Sequence, residues 1–196
     1  MKLSVRSAAF LMMLMIGVAP AKAQDLGFKP YVGGGLGGFE LNYGNGKDFV
    51  FGGYGALGAE LNDYLALELR VGSAGSKTKA DTGTALTGQV KKQVDWFVSY
   101  LAKPQIEVAD GLKIYGLLGA STLKSKITPN GASARSNTST SFSFGAGAEY
   151  SFQDQFTIGG EWLRYSSQKD TAAIGATSGY NGMDVNGFVG TLKVFF

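Results

Sequence analysis

The last thirteen residues, Asp184 to Phe196, read DVNGFVGTLKVFF. Counting back from Phe196, alternate positions are Val194, Leu192, Gly190 and Phe188, while Phe195, Lys193, Thr191, Val189 and Gly187 fall between them. Side chains on a strand alternate between its two faces. The segment therefore presents one apolar surface and one that carries a lysine and a threonine. A soluble sheet seldom leaves its final strand apolar up to the carboxylate. A barrel in a bilayer needs that pattern, because hydrocarbon lies outside, polar groups lie inside and closure leaves no unpaired edge.

Seven earlier stretches repeat the alternation. Pro30–Leu41 places Val32, Gly34 and Leu36 on one face, with its phase blurred at Phe39, and Asn42–Lys47 reads as a turn. Asp48–Leu61 sets Phe49, Phe51, Leu57 and Leu61 against Tyr54 and Glu60, and Tyr64–Gly72 sets Leu65, Leu67, Leu69 and Val71 against Ala66, Glu68 and Arg70. Ser73–Val90, rich in Gly, Ser, Thr and Ala, is expected to be a long loop. Lys91–Val108 sets Val94, Trp96, Val98, Tyr100, Ala102 and Ile106 against Asp95, Ser99, Lys103 and Gln105. Pro104, which cannot donate to a ladder, predicts a bulge or edge irregularity there. Leu112–Lys126, Ser141–Phe152 and Phe156–Tyr165 complete the set, with polar loops expected at Thr128–Thr138 and Gln168–Met183.

The fold expected is all-β: an eight-stranded antiparallel up-and-down transmembrane β-barrel over residues 24–196. Its strands have about the nine to eleven residues that a tilted membrane strand requires. Tight turns follow the second, fourth and sixth strands and longer connections follow the others, the asymmetry of outer-membrane barrels, which places both termini in the periplasm. A soluble, lipocalin-like barrel would turn the apolar face inward. The other face carries Glu68, Arg70, Asp95, Lys103, Glu149, Glu161 and Lys193. Seven charges can pair inside a small lumen, and this favours the membrane.

Met1–Ala23 opens with Lys2 and Arg6, continues through the apolar run Ala8–Val18 and ends in Ala21-Lys22-Ala23. This is the layout of a secretory signal peptide, with cleavage expected between Ala23 and Gln24. Of the 18 basic residues, Lys2, Arg6 and Lys22 would leave with it, and none of the 15 acidic ones would. The mature chain then carries 15 of each, so the basic isoelectric point gives no support to nucleic-acid binding. Histidine and cysteine are both absent. That excludes a His general base, Ser-His or Cys-His nucleophile pairs, and His or thiolate metal ligands. Asp81, Asp170 and Asp184 suggest no metal spacing, and no cofactor is expected. Gly33–Gly35 with Gly37 and Gly38 lack the strand–turn–helix setting and Lys-Ser/Thr ending of a phosphate loop. They are read instead as places where neighbouring side chains approach closely.

Pro30-Tyr31-Val32-Gly33, Tyr64–Arg70 (YLALELR), Leu112–Gly119 (LKIYGLLG), Gly147–Phe152 (GAEYSF) and terminal Phe196 together resemble the OmpA-type eight-stranded transmembrane domain, in the group of small porin-like and opacity-type outer-membrane proteins. The resemblance covers the whole mature chain. It implies a lumen network of carboxylates and bases in which Glu68, Lys103 and Glu149 match three members. The network's arginine site falls at Gly159, a departure from the family pattern. Some members continue into a peptidoglycan-binding domain, and that function is not expected of a chain ending at Phe196. The resemblance also implies that Phe196, with Val194 and Leu192, is a signal read by the barrel-assembly machinery.

Two site readings follow. The lumen charges either line a narrow ion path or form a plug, and eight strands enclose an interior that side chains can just fill. Lys77, Lys79, Lys91, Lys92, Lys124, Lys126 and Arg135 gather around the second and third external loops, where a basic rim would meet the phosphates of lipopolysaccharide. The protein is thus expected to be a non-enzymatic outer-membrane barrel, monomeric, contributing to envelope structure with at most a narrow pore. A surface interaction protein acting through its loops, as an adhesin or host-factor binder, is the alternative. A lipid-modifying barrel enzyme ranks last, because those resembling this chain employ a catalytic His.

Overall fold

The structure is a computed structural model that describes residues 29–43, 46–81, 88–129, 133–152, 155–167 and 182–196; the expected signal peptide lies outside them. Eight strands form: β1 (Lys29–Tyr43), β2 (Gly46–Asn62), β3 (Leu65–Asp81), β4 (Gly88–Ala109), β5 (Leu112–Pro129), β6 (Arg135–Phe152), β7 (Phe156–Ser167) and β8 (Asp184–Phe195). Each pairs with its successor, and β8 pairs with β1 to close the barrel. The closing seam runs antiparallel from Tyr31 opposite Phe195 to Asn42 opposite Asp184.

The register fixes the barrel's shape. From Val32, paired positions lead one way through Leu57, Leu69, Tyr100 and Ala120 to Phe142 on β6. The other way they lead through Val194 and Phe156 to Phe152 on the same strand. The two ends of this circuit, residues 142 and 152, are ten positions apart. That stagger, with eight strands, tilts them by about 35–45° and leaves a lumen that side chains fill.

The alternation sorts residues as lipid and lumen require. Leu36, Leu57, Leu67, Leu69, Val71, Ile106, Ile114, Leu118, Ile158 and Leu192 are all exposed on the outside. Exposed aromatics flank this aliphatic band: Tyr64, Tyr150, Phe152, Phe156 and Phe196 toward the end with short turns, and Phe49, Phe51, Trp96, Phe142, Phe144 and Phe188 toward the other. Two aromatic girdles around an apolar band are the surface of a barrel seated in a membrane. At one short turn Gly111 adopts φ 72°, a left-handed conformation that glycine accepts without a Cβ clash.

Three expectations are corrected. The polar stretch 73–90 is largely strand: Ser76 to Asp81 of β3 pairs with Gln93 to Gly88 of β4. Similarly, Arg135 to Thr138 of β6 pairs with Ile127 to Lys124 of β5, and β5 itself reaches Pro129. These segments lie past the apolar band, where the outward positions are polar, so hydropathy stops alternating although the ladder continues. Pro104 interrupts the β4–β5 pairing, which skips Lys103 and Pro104, but makes no bulge and no register shift. Its ring lies over Gly116, 3.5 Å from where a Cβ would stand, and pairing with β5 keeps the same register on both sides, at Ala102–Leu118 and Gln105–Tyr115. The β4–β5 shifts fall instead at Val94/Trp96 and Glu107/Ala109. The first of these reverses the inside–outside phase of everything beyond it, as one inserted residue must.

Candidate functional site

The lumen holds two layers. Nearer the short turns, Glu68 and Arg70 come from β3, Lys103 from β4, Glu149 from β6, Glu161 from β7 and Lys193 from β8, all buried. Six of the seven charges expected in the lumen are therefore brought together. Asp95 is the correction: it occupies the bulge between Val94 and Trp96 and is half-buried outside the cluster.

Arg70 is the hub. Its Nε donates to Glu68 Oε1 at 2.5 Å, its Nη2 donates to Glu161 Oε2 at 2.9 Å, and its Nη1 donates to Glu161 Oε1. Guanidinium suits this place because its planar fork can engage two carboxylates at once. Glu149 receives Lys103 at 2.5 Å and Lys193 at 2.7 Å, and Lys193 also stands 3.7 Å from Glu68. Three carboxylates thus face three cations and the cluster is neutral. Tyr31 donates to Glu68 at 2.6 Å, while Tyr54 and Tyr115 donate to Glu161 at 2.7 and 3.0 Å. The same rings serve as cation–π surfaces, with Arg70 4.5 Å from the Tyr54 centroid and Lys103 4.0 Å from that of Tyr115. Below the cluster, Lys113 and Gln105 donate to Glu60 at 2.8 and 2.9 Å.

The tyrosines reach these positions because glycines leave room in the wall. Tyr31 is paired across the ladder with Gly58, Tyr54 with Gly35 and Tyr115 with Gly147. A Cβ on those glycines would lie 2.3, 2.6 and 2.5 Å from the respective ring. Gly159, where the family resemblance puts an arginine, has no room for one: its Cβ would stand 2.9 Å from both Glu149 Cβ and Thr191 Oγ1. Arg70 supplies the guanidinium from β3 instead.

The second layer, toward the longer connections, is apolar. Phe39, Phe97 and Tyr165 pack with ring centroids 4.6–5.8 Å apart, surrounded by buried Leu41, Val50, Val94, Leu123, Leu163 and Val185. Val94, expected on the outside, is inside. Sequence reasoning missed this layer because it characterised the inward face by its charged residues alone. The usable signal was the blurred phase at Phe39, where an aromatic falls on the lumen face. Beyond it Lys92 and Asp48 form a buried pair at 3.0 Å.

The expected basic rim divides. Lys92 leaves it, since the β4 bulge turns it inward to Asp48. Lys77 and Arg135 are exposed but stand opposite the inward positions Lys92 and Ile127. Lys79 stands opposite Val90. Lys91, Lys124 and Lys126 point outward. At the terminal strand, Leu192 is exposed on the outside, Val194 is half-buried, and Phe196 donates its backbone N–H to Pro30 at 3.0 Å. Among the described residues no group of acids, histidines or cysteines is arranged to hold a metal.

A closed eight-stranded barrel with an apolar exterior, two aromatic girdles and a neutralised charged interior is an integral membrane protein of the outer-membrane type. The chain belongs to the outer membrane protein beta-barrel domain family, which matches residues 8–196. No curated protein sequence matches it. Among solved structures, the attachment invasion locus protein Ail of Yersinia pestis, crystallised with the heparin analogue sucrose octasulfate, is similar with TM-score 0.57 and 16% identity over 86% of this chain and 99% of that one. Neisserial surface protein A gives 0.59 and 14% over 87% and 97%. The N-terminal β-barrel domain of Pseudomonas aeruginosa OprF gives 0.51 and 19% over 85% and 97%.

Two outcomes are expected here. Arg70→Met leaves Glu68 and Glu161 buried without their shared cation and should cost about 3–5 kcal/mol in reversible urea unfolding from lipid vesicles. Adding Glu161→Gln should recover part of that loss, and a wild-type midpoint for the single variant would contradict the hub assignment. Gly147→Val should cost about 1–3 kcal/mol by driving Tyr115 off its acceptor. Gly160→Val, where the nearest atom to a Cβ lies 4.0 Å away on the outer face, should change the midpoint little.

Proposed function

We propose that the protein is a non-enzymatic, non-conducting barrel of the outer membrane that contributes to envelope structure, exported through a signal peptide cleaved after Ala23. The observation carrying this reading is the double seal of the lumen. A neutral, hydrogen-bonded charge cluster fills one half and a stack of aromatic rings fills the other. An ion entering would have to break buried pairs and then cross an apolar layer, each step a matter of several kcal/mol. The outward apolar face of β8 ending at Phe196 also suits recognition by the assembly machinery. In planar bilayers the folded protein should show no stable conductance, and large, long-lived channels would refute the reading.

A second reading, attachment to a partner outside the cell, is favoured by one feature. Past Ala74 on β3 the register shows pairing only with β4, and before Phe144 on β6 only with β5. Four strands thus project as a sheet with two free edges among the described residues, and free edges accept an added strand. Ail, of the same fold, carries attachment in its name. Replacing Thr138, on one free edge, with Pro should lower host-cell binding several-fold without altering heat-modifiable gel migration. Unchanged binding would leave the structural role alone standing.

A further inference from the structure

The outward lysines sit where a membrane changes from hydrocarbon to headgroup. On β5 the outward positions are Leu112, Ile114, Gly116, Leu118, Ala120 and Thr122, followed by Lys124 and Lys126. Ten steps along the strand from Leu112 to Thr122, at about 3.3 Å each and tilted by about 40°, climb about 25 Å, the height of a barrel's apolar band. Thr122 marks the upper boundary: its hydroxyl is bonded across the ladder to that of Thr140 at 2.8 Å. Lys124 is the first charge above it, paired in register with Trp96 of the upper girdle. Lys126 follows about 7 Å along the strand, and Lys91 of β4 stands diagonally above, opposite Thr128.

These three cations are unlike the lumen's. Every cation of the lumen cluster is held by a carboxylate, whereas no described carboxylate forms an ion pair with Lys91, Lys124 or Lys126. Asp95 lies at the adjoining bulge but pairs with none of them. Lys124 and Lys126 are also half-buried, so their stems lie along the wall with their heads at the interface. Beneath them the outer wall dips into a shallow, open groove lined by Leu67, Leu69, Tyr100, Ala102 and Leu118.

We infer that the outer face of β4–β5 binds a phosphate-bearing lipid of the outer leaflet. Lys91, Lys124 and Lys126 hold its phosphates, and an acyl chain descends past Ala120 into the groove at Leu118. This rests on the outer-membrane reading, with the long connections outside. Cations at this level attract anionic headgroups, and ammonium groups serve phosphates as point charges. The groove accounts for a lipid rather than a free anion.

The test is to fold the mature chain, wild type and K91Q/K124Q/K126Q, in vesicles containing bis-phosphorylated lipid A, and to count bound lipid A by native mass spectrometry. Each lysine near a charged surface contributes about fivefold, so removing three should lower lipid A retention by about a hundredfold. K47Q/K77Q, which removes two other exposed lysines, should match wild type. Lipid A stripped of phosphate should bind wild type no better than the intact lipid binds the triple variant. Equal retention by wild type and triple variant overturns the proposal. Displacement of lipid A by millimolar inorganic phosphate overturns it too, because the site would then take the anion alone. Heat-modifiable migration of the same samples reports membrane folding separately, so failure of the lipid site is distinguishable from failure of the barrel reading.

Discussion

In hydrocarbon no water is available to satisfy backbone N–H and C=O groups, so the chain must pair all of them itself. The β1–β8 seam is where that requirement is met or lost. The other seven pairings join consecutive strands and form locally. The seam joins the first described strand to the last over the register from Tyr31–Phe195 to Asn42–Asp184. It also completes the lumen, since Tyr31 on β1 and Lys193 on β8 both contribute to the charged cluster. The hydrogen bonds that close the wall and the ion pairs that fill it therefore depend on one register.

The interior follows from the wall. Eight strands staggered by ten residues enclose an interior just wide enough for side chains to fill, so whatever points inward must pack or pair. The barrel does this differently at its two ends. Near the short turns it buries charges in equal number, linked by tyrosine hydroxyls. Near the long connections it buries Phe39, Phe97 and Tyr165 as a soluble core would. A serine group separates the layers, with Ser121 2.6 Å from Ser99 and 2.8 Å from Ser143. An all-charged filling would have carried a heavy desolvation cost along the entire axis; confining it to one layer limits that cost.

Strand number, order and facing were legible because the bilayer writes a two-residue period into any strand that crosses it. Glu68, Arg70, Lys103, Glu149, Glu161 and Lys193 were readable as lumen residues for the same reason. Two things were not. Past Thr122 and Thr140 the outward positions leave the hydrocarbon and turn polar, so the projecting halves of β3–β6 resembled loops. The Val94/Trp96 bulge has no mark in composition, and it alone accounts for the misplacement of Val94, Lys92 and Asp95. That Arg70 would take the part suggested for position 159 was also hidden. The choice depends on how far across the lumen a side chain reaches, and alternation along one strand does not report that distance.

The pairing of each lumen tyrosine with a bare position on the next strand bears on how such a barrel changes over time. Tyr31 with Gly58, Tyr54 with Gly35 and Tyr115 with Gly147 are units of exchange rather than independent sites. A side chain can enter at position 147 only once the ring at 115 has gone, and losing that ring leaves a hole that a residue at 147 is placed to fill. Drift in the lumen should therefore proceed by linked, volume-conserving swaps between adjacent strands. The glycines that look most dispensable in the sequence would then be among the slowest to move.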